Sequence, residues 1–302
     1  MPKNIPITLA CGDYEIVRAL KDGLVEPDGI DLTILTDMDS TTRHWRFIRQ
    51  LEFDMAETSG SSYIVARDKG VPVTALPVFL HRRFRHGFVF INTTKGIKEP
   101  KDLIGKKIGI KSFLVSAGHW MRGILEHEYG VPHKSIEWFT ELDEDVDFEY
   151  PKDLKVTKLP HEKSVEKMLA EGELDAVLHS DLIKPMLAKD PRVARLFPDY
   201  VAEEKSFFRK TGIFPIMHVM GLDPELVESI NVNLGATDVD SPTASAAGGT
   251  INIRSLMPSD EMGAMISAST TKIVRTVNSV RPSDFMMAMS RAFSCVMVEM
   301  ML

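Results

Sequence analysis

The side chains best suited to chemistry lie in two stretches of this sequence: a carboxylate followed by hydroxyls, then a knot of arginine and histidine. The run Phe53-Asp-Met-Ala-Glu-Thr-Ser-Gly-Ser-Ser-Tyr63 leaves an apolar stretch for small hydroxyl residues, the pattern of a strand ending where a helix begins. A helix start presents unpaired backbone N–H groups, and Ser59, Ser61 and Ser62 add side-chain donors, so the stretch can receive an anion. Glu57, and Asp13 near the N-terminus, can accept hydrogen bonds from hydroxyl groups. His81-Arg-Arg-Phe-Arg-His86 then supplies three arginines and two histidines within six residues. Arg is shaped to hold a carboxylate bidentately, and imidazole exchanges a proton near neutral pH. Together they predict a site for a small anionic molecule that can react there. The same serines would also serve as ordinary helix caps and the arginines as a solvated strand edge, so residue type alone leaves both readings open.

The elements that must position these groups alternate. "IPITLA", "IDLTIL", "FDMAE" and "VPVTALPVF" read as strands, with helices over 41–49 and 63–69 between them. From Phe88 onward "GFVFIN", "KKIGI", "SIEWFT" and "LDAVLH" read as strands, with a long helix over 112–129 and an acidic loop over 141–151. An apolar strand returns in "FPIMHVMGL". Such alternation predicts a mainly parallel sheet covered on both faces. Two α/β units joined by strands near residues 80–90 and 207–220 make a two-lobed protein with a two-strand hinge and a ligand cleft. The expected lobes are 1–86, 87–212, and a return to the first lobe over 213–302.

A chain of 302 residues with 44% hydrophobic and 26% charged content is long enough for two such lobes. Its net charge of −7 argues against a nucleic-acid partner, which rewards basic surfaces. The N-terminus carries no apolar leader and no segment is long enough to span a bilayer, so the expectation is a cytoplasmic protein without a membrane partner. The two cysteines, Cys11 and Cys295, are too few for a disulfide framework and read as buried small residues.

Several segments, in order, resemble one family. "TLACGDYEIVRAL", "FDMAETSGSSYIVARDKG", "LPVFLHRRFRHGFVFIN", "GIKEPKDLIGKKIGI", "RGILEHEYGV", "LDAVL" and "LFPDYVAEEKSFFRKTGIFPIMHV" are similar to the 4,5-dihydroxyphthalate decarboxylase family. The resemblance runs from about Ile7 to about Val219. It implies a type 2 periplasmic-binding-protein-like fold and, in aromatic catabolism, the conversion of 4,5-dihydroxyphthalate to 3,4-dihydroxybenzoate. It carries no organic cofactor. The alternative is a small-carboxylate substrate-binding protein of the transporter or sensor type.

Aromatic decarboxylation needs a general acid at the ring carbon that bears the carboxylate, and donors that hold the carboxylates. The candidate acids are His86 and His218, each placed in a hinge strand. The candidate substrate ligands are Asp13, Glu57, Ser59, Ser61, Ser62, Arg83, Arg85 and Ser116. If residues 82–86 form a strand, Arg83 and Arg85 share one face while Arg82 and His86 share the other. His218 follows "FPIM", where a hydrogen-bonded core histidine is the competing reading. The histidines show no metal-ligand spacing, and a divalent ion recruited from separate loops is left open. Self-association is also left open.

Beyond about Leu222 the resemblance fades, and Tyr, Trp and His disappear while Met accumulates. Residues 235–250 read as a linker and 257–280 and 282–302 as helices, either a divergent closing element or a stretch of little packing value.

Overall fold

The computed structural model describes residues 4–27, 29–229, 231–233 and 250–252. The described chain forms two α/β lobes, each a compact unit. The first takes its residues from within 1–58, 66–80 and 218–302, and the second is 59–65 with 81–217. The expectations for 235–250, 257–280 and 282–302, and for Cys295, lie outside the described residues apart from the short strand at 250–252.

In the first unit β1 (Ile5–Ala10) leads through the short α1 (Arg18–Lys21) to β2 (Ile30–Leu35), α2 (Ser40–Gln50) and β3 (Met55–Ser59). Next come α3 (Gly60–Asp68), whose first turns count with the second unit, and β4 (Thr74–Leu76). The sheet order is β2-β1-β3-β11-β4, where β11 is His218–Leu222. β1 runs parallel to β2, with Ile5 opposite Ile30 and Ala10 opposite Leu35, and parallel to β3. Ile7 packs with Leu222 and Leu226, while Leu9, Cys11 and Val17 pack with Met220. Helix α2 starts because Asp39 accepts from the Thr42 N–H at 3.1 Å, and stops at Leu51 in the left-handed region, φ 49°. Its buried face is Arg43, His44, Phe47 and Ile48. Phe47 lies so close to β11 that a Cβ on Gly221 would sit 2.3 Å from its ring.

The second unit contains β5 (Val89–Asn92), β6 (Lys107–Ile110), α4 (Ser116–Tyr129), β7 (Glu137–Thr140) and β8 (Val156–Lys158). It continues through α5 (Val165–Glu171), β9 (Ala176–Leu178), α6 (Lys184–Leu187), β10 (Val193–Arg195) and α7 (Tyr200–Thr211). After β11 the chain adds α8 (Pro224–Ser229) and the parallel pair β12 (Asn231–Asn233) and β13 (Thr250–Asn252). The second sheet has the order β10-β5-β9-β6-β7-β8. Its buried centre includes Phe90, Ile108, Ile110, Trp138 and Val177, apolar on both faces as a covered sheet requires.

Both sheets are mixed: the β1–β2, β1–β3, β6–β7, β6–β9 and β7–β8 pairs are parallel, as expected, while β4 runs antiparallel to β11, and β5 runs antiparallel to β9 and β10. The strand expected across "VPVTALPVF" shrinks to Thr74–Leu76, since Pro72 and Pro77 have no N–H to give a ladder. The helix expected from residue 112 starts at Ser116, because the Phe113 and Leu114 N–H groups donate to the Glu144 carboxylate at 2.7 and 2.9 Å. Residues 81–88 are not a strand. Arg82 alone bridges to Ile216, and His86–Phe88 is a turn of 3-10 helix.

Candidate active site

Glu57 in β3 is fully buried, and both its oxygens are occupied. Oε1 accepts from the Tyr14 hydroxyl at 2.8 Å and from His218 Nδ1 at 2.5 Å. Oε2 accepts from the Gly12 N–H at 2.8 Å and from Arg43 Nη2 at 2.7 Å. Burial alone would raise the pKa of Glu57, but the hydrogen bond and charge of His218, with Arg43 and Tyr14, outweigh it and bring it to about 2. Opposite an ionised carboxylate, Nδ1 of His218 carries the hydrogen, and Nε2 is the nitrogen through which this ring can pass a proton. The ring of His44 stands edge-on to that of His218, with centroids 4.6 Å apart. Gly12 gives the Tyr14 ring room: a Cβ there would come within 2.6 Å of it. Cys11 is buried nearby, and burial followed by the charge of Glu57 pushes its thiol up to about 11.

The serines form a second group within the second unit. Ser59 accepts from the Ser62 N–H at 3.5 Å and so caps α3, and it also accepts from the Ser116 N–H at 3.3 Å at the start of α4. Ser116 returns the contact, accepting from the Ser61 N–H at 3.1 Å. The Ser59 and Ser116 hydroxyls lie 2.9 Å apart, and Ser61 donates to the Leu114 carbonyl. Two helix starts therefore converge on three buried hydroxyls, and the Ser59 and Ser116 oxygens take N–H groups that an anion's oxygens would take. Ser62 turns away from this group and donates to Asp145 at 2.9 Å.

The arginines and His86 do not line up as a strand face, because residues 83–85 are irregular and each side chain finds its own surroundings. Arg85 is buried, donating to the Ser180 carbonyl at 2.7 Å and to Met217 Sδ, and burial followed by the Arg83 charge lowers its pKa to about 9. Arg83 is part-exposed, 3.4 Å from Asp181 and over the Phe88 ring. His86 lies not in a hinge strand but in the 3-10 turn, among Phe197, Phe207 and Tyr129, with no hydrogen bond to either ring nitrogen among the described residues. Burial lowers its pKa to about 4. Asp13 is exposed and paired with Lys21 at 2.9 Å, which lowers its pKa.

A family described as NMT1/THI5 like matches residues 14–141, a stretch that holds Tyr14, Arg43, Glu57 and all four serines. A 4,5-dihydroxyphthalate decarboxylase from Comamonas testosteroni is 32% identical over 232 residues, 74% of this chain and 70% of that protein. The chain belongs to the 4,5-dihydroxyphthalate decarboxylase family. A second member of this decarboxylase family, from Pseudomonas putida, is 32% identical over 213 residues, 68% of this chain and 82% of that one. Among solved structures, the alkanesulfonate-binding protein SsuA from Xanthomonas axonopodis pv. citri bound to MOPS has a TM-score of 0.49 at 11% identity. It covers 96% of this chain and 86% of its own. The periplasmic aliphatic sulphonate binding protein SsuA from Escherichia coli has a TM-score of 0.47 at 13% identity, covering 97% of this chain and 84% of its own.

In this decarboxylase-family chain, sequence reasoning singles out Glu57, His218 and the serines but misses Arg43, His44 and Tyr14. The signal for the first two was present: in "STTRHWRFIRQ", Arg43 and His44 sit one turn before Phe47 and Ile48, so two polar residues occupy the apolar face of a helix. Tyr14 offers no comparable signal. For a divalent ion the first unit offers Glu57 and His218 together, and an ion taking Glu57 would displace one of its four donors. Among the described residues no helix is long and apolar enough to cross a membrane.

Proposed function

We propose that this protein decarboxylates a dihydroxylated aromatic dicarboxylate, 4,5-dihydroxyphthalate, to 3,4-dihydroxybenzoate in the breakdown of aromatic acids. The observation that carries this reading is the buried Glu57–His218 pair, in a chain whose relatives are named for that reaction. His218, oriented by Glu57, gives a proton from Nε2 to the ring carbon that bears the carboxylate. The bond from that carbon to the carboxylate then breaks, its electron pair restores the ring, CO2 leaves, and His218 regains a proton from water. Glu57 acts on His218 and not on the catechol hydroxyls, because all four of its acceptor positions are filled.

Purified protein mixed with 4,5-dihydroxyphthalate is expected to release CO2 and 3,4-dihydroxybenzoate, read by ultraviolet spectra and chromatography, both with and without a chelator. His218→Gln is expected to lower kcat by about 100-fold or more, the usual contribution of a positioned general acid. Binding without product in the wild type would replace the enzyme by a carboxylate-binding protein. Turnover that vanishes with the chelator and returns with a divalent ion would make the Glu57–His218 pair a metal ligand set.

A further inference from the structure

Arg43 is almost wholly buried, and all three of its guanidinium nitrogens are committed. Nη2 donates to Glu57 Oε2 at 2.7 Å, Nε to the Glu57 backbone carbonyl at 3.3 Å, and Nη1 to the Met38 carbonyl at 3.1 Å. One side chain thus grips the same residue at its carboxylate and at its main chain, and ties both to the segment that leads into α2. Ordinary ion pairing would need only the first of these contacts. The planar fork of Arg can make all three at once, whereas the single ammonium of Lys cannot. With no nitrogen left over and almost no exposed surface, Arg43 is not placed to touch a substrate.

What the grip does follows from the remaining geometry. Held by Arg43 and the Gly12 N–H, Oε2 cannot rotate away, so Oε1 stays fixed where it meets Tyr14 and His218 Nδ1. We propose that Arg43 is the positioning residue of this centre: by clamping Glu57 at two points it fixes the oxygen that holds His218 Nδ1–H, and so keeps Nε2 as the nitrogen that delivers the proton. The proposal rests on the reading of His218 as proton donor, and it adds a residue that touches neither substrate nor the reacting carbon.

The test compares the full-length wild type with Arg43→Met and Arg43→Lys in two readouts. One is kcat and KM for 4,5-dihydroxyphthalate. The other is nitrogen-15 NMR of ring-labelled histidine, with the His218 signals assigned by their loss in His218→Gln. The wild type is expected to show His218 protonated at Nδ1. Arg43→Met is expected to lose about 10- to 1,000-fold in kcat with KM changed less than about threefold, and to show His218 in mixed protonation at Nδ1 and Nε2. Arg43→Lys keeps the charge without the fork, and is expected to lose at least about tenfold in kcat with the same NMR change. A folded variant with unchanged kcat and an unchanged His218 signal overturns the proposal, as does a loss confined to KM. If Arg43→Met fails to fold, Arg43→Lys decides, and a wild-type His218 without a hydrogen on Nδ1 overturns it with no variant at all. A wild type inactive on 4,5-dihydroxyphthalate, whose His218 signal still depends on Arg43, rejects the substrate and keeps the positioning role.

Discussion

Glu57 and His218 are 161 residues apart in sequence yet meet through a 2.5 Å hydrogen bond. This explains what residue-level reading can find. Residue type marks both as chemically able, but only the fold shows that Glu57 is already saturated by protein donors and therefore acts on a neighbour. The same contrast holds for His86, whose type suggests catalysis and whose surroundings are aromatic rings. Its folded pKa of about 4 lies below the ordinary 6.5, so the folded state disfavours the charged ring. The linkage has a definite sign: the contribution is intact above pH 6.5 and is lost as pH falls towards 4, because the unfolded chain takes up the proton first. Urea unfolding of wild type over that range is expected to show a loss of roughly 2–3 kcal/mol from this one residue. His86→Leu is expected to flatten the decline by that amount. An equal decline in both proteins would assign the acid sensitivity elsewhere.

Helix α4 carries two glycines with opposite meanings. A Cβ on Gly118 would fall 2.1 Å from Ile110 Cδ1 of β6, whereas one on Gly123 would meet nothing within 4 Å. Gly118→Ala is expected to destabilise by about 1–3 kcal/mol through overpacking, and Gly123→Ala to stabilise by about 0.5–1 kcal/mol through helix propensity. Thermal melts of the two variants settle the matter, and a similar shift in both would mean that α4 does not lie on β6 at that distance. Elements of this length were legible because their apolar periodicity is strong: α2 and β2 fall within a residue or so of the expected bounds. The antiparallel exceptions were not legible, because parallel and antiparallel neighbours with both faces buried carry the same apolar runs. The start of α4 was not legible because the carboxylate that takes the Phe113 and Leu114 N–H groups ahead of the helix, Glu144, is supplied by a distant acidic loop whose charges suggest exposure.

At the scale of the molecule, two α/β lobes followed from the alternation of elements, and the family from long ordered motifs. The chain's passage between units at four points, with residues 59–65 counted in the second, did not follow, since nothing local marks it. The whole chain carries a net charge of −7, and its proposed substrate is a dianion. Like charges repel at long range and salt screens that repulsion, so kcat/KM is expected to rise about twofold or more from low ionic strength to about 0.15 M. A fall over the same range would mean that the positive field of the site outweighs the net charge. Cys11 has its own consequence at this scale. A sulfur held neutral and fully covered at the end of β1 is chemically silent while the first unit is closed. With Cys295 replaced by serine, the rate at which an alkylating reagent consumes the remaining thiol becomes a clock for the opening of that lobe, readable in protein that is otherwise native.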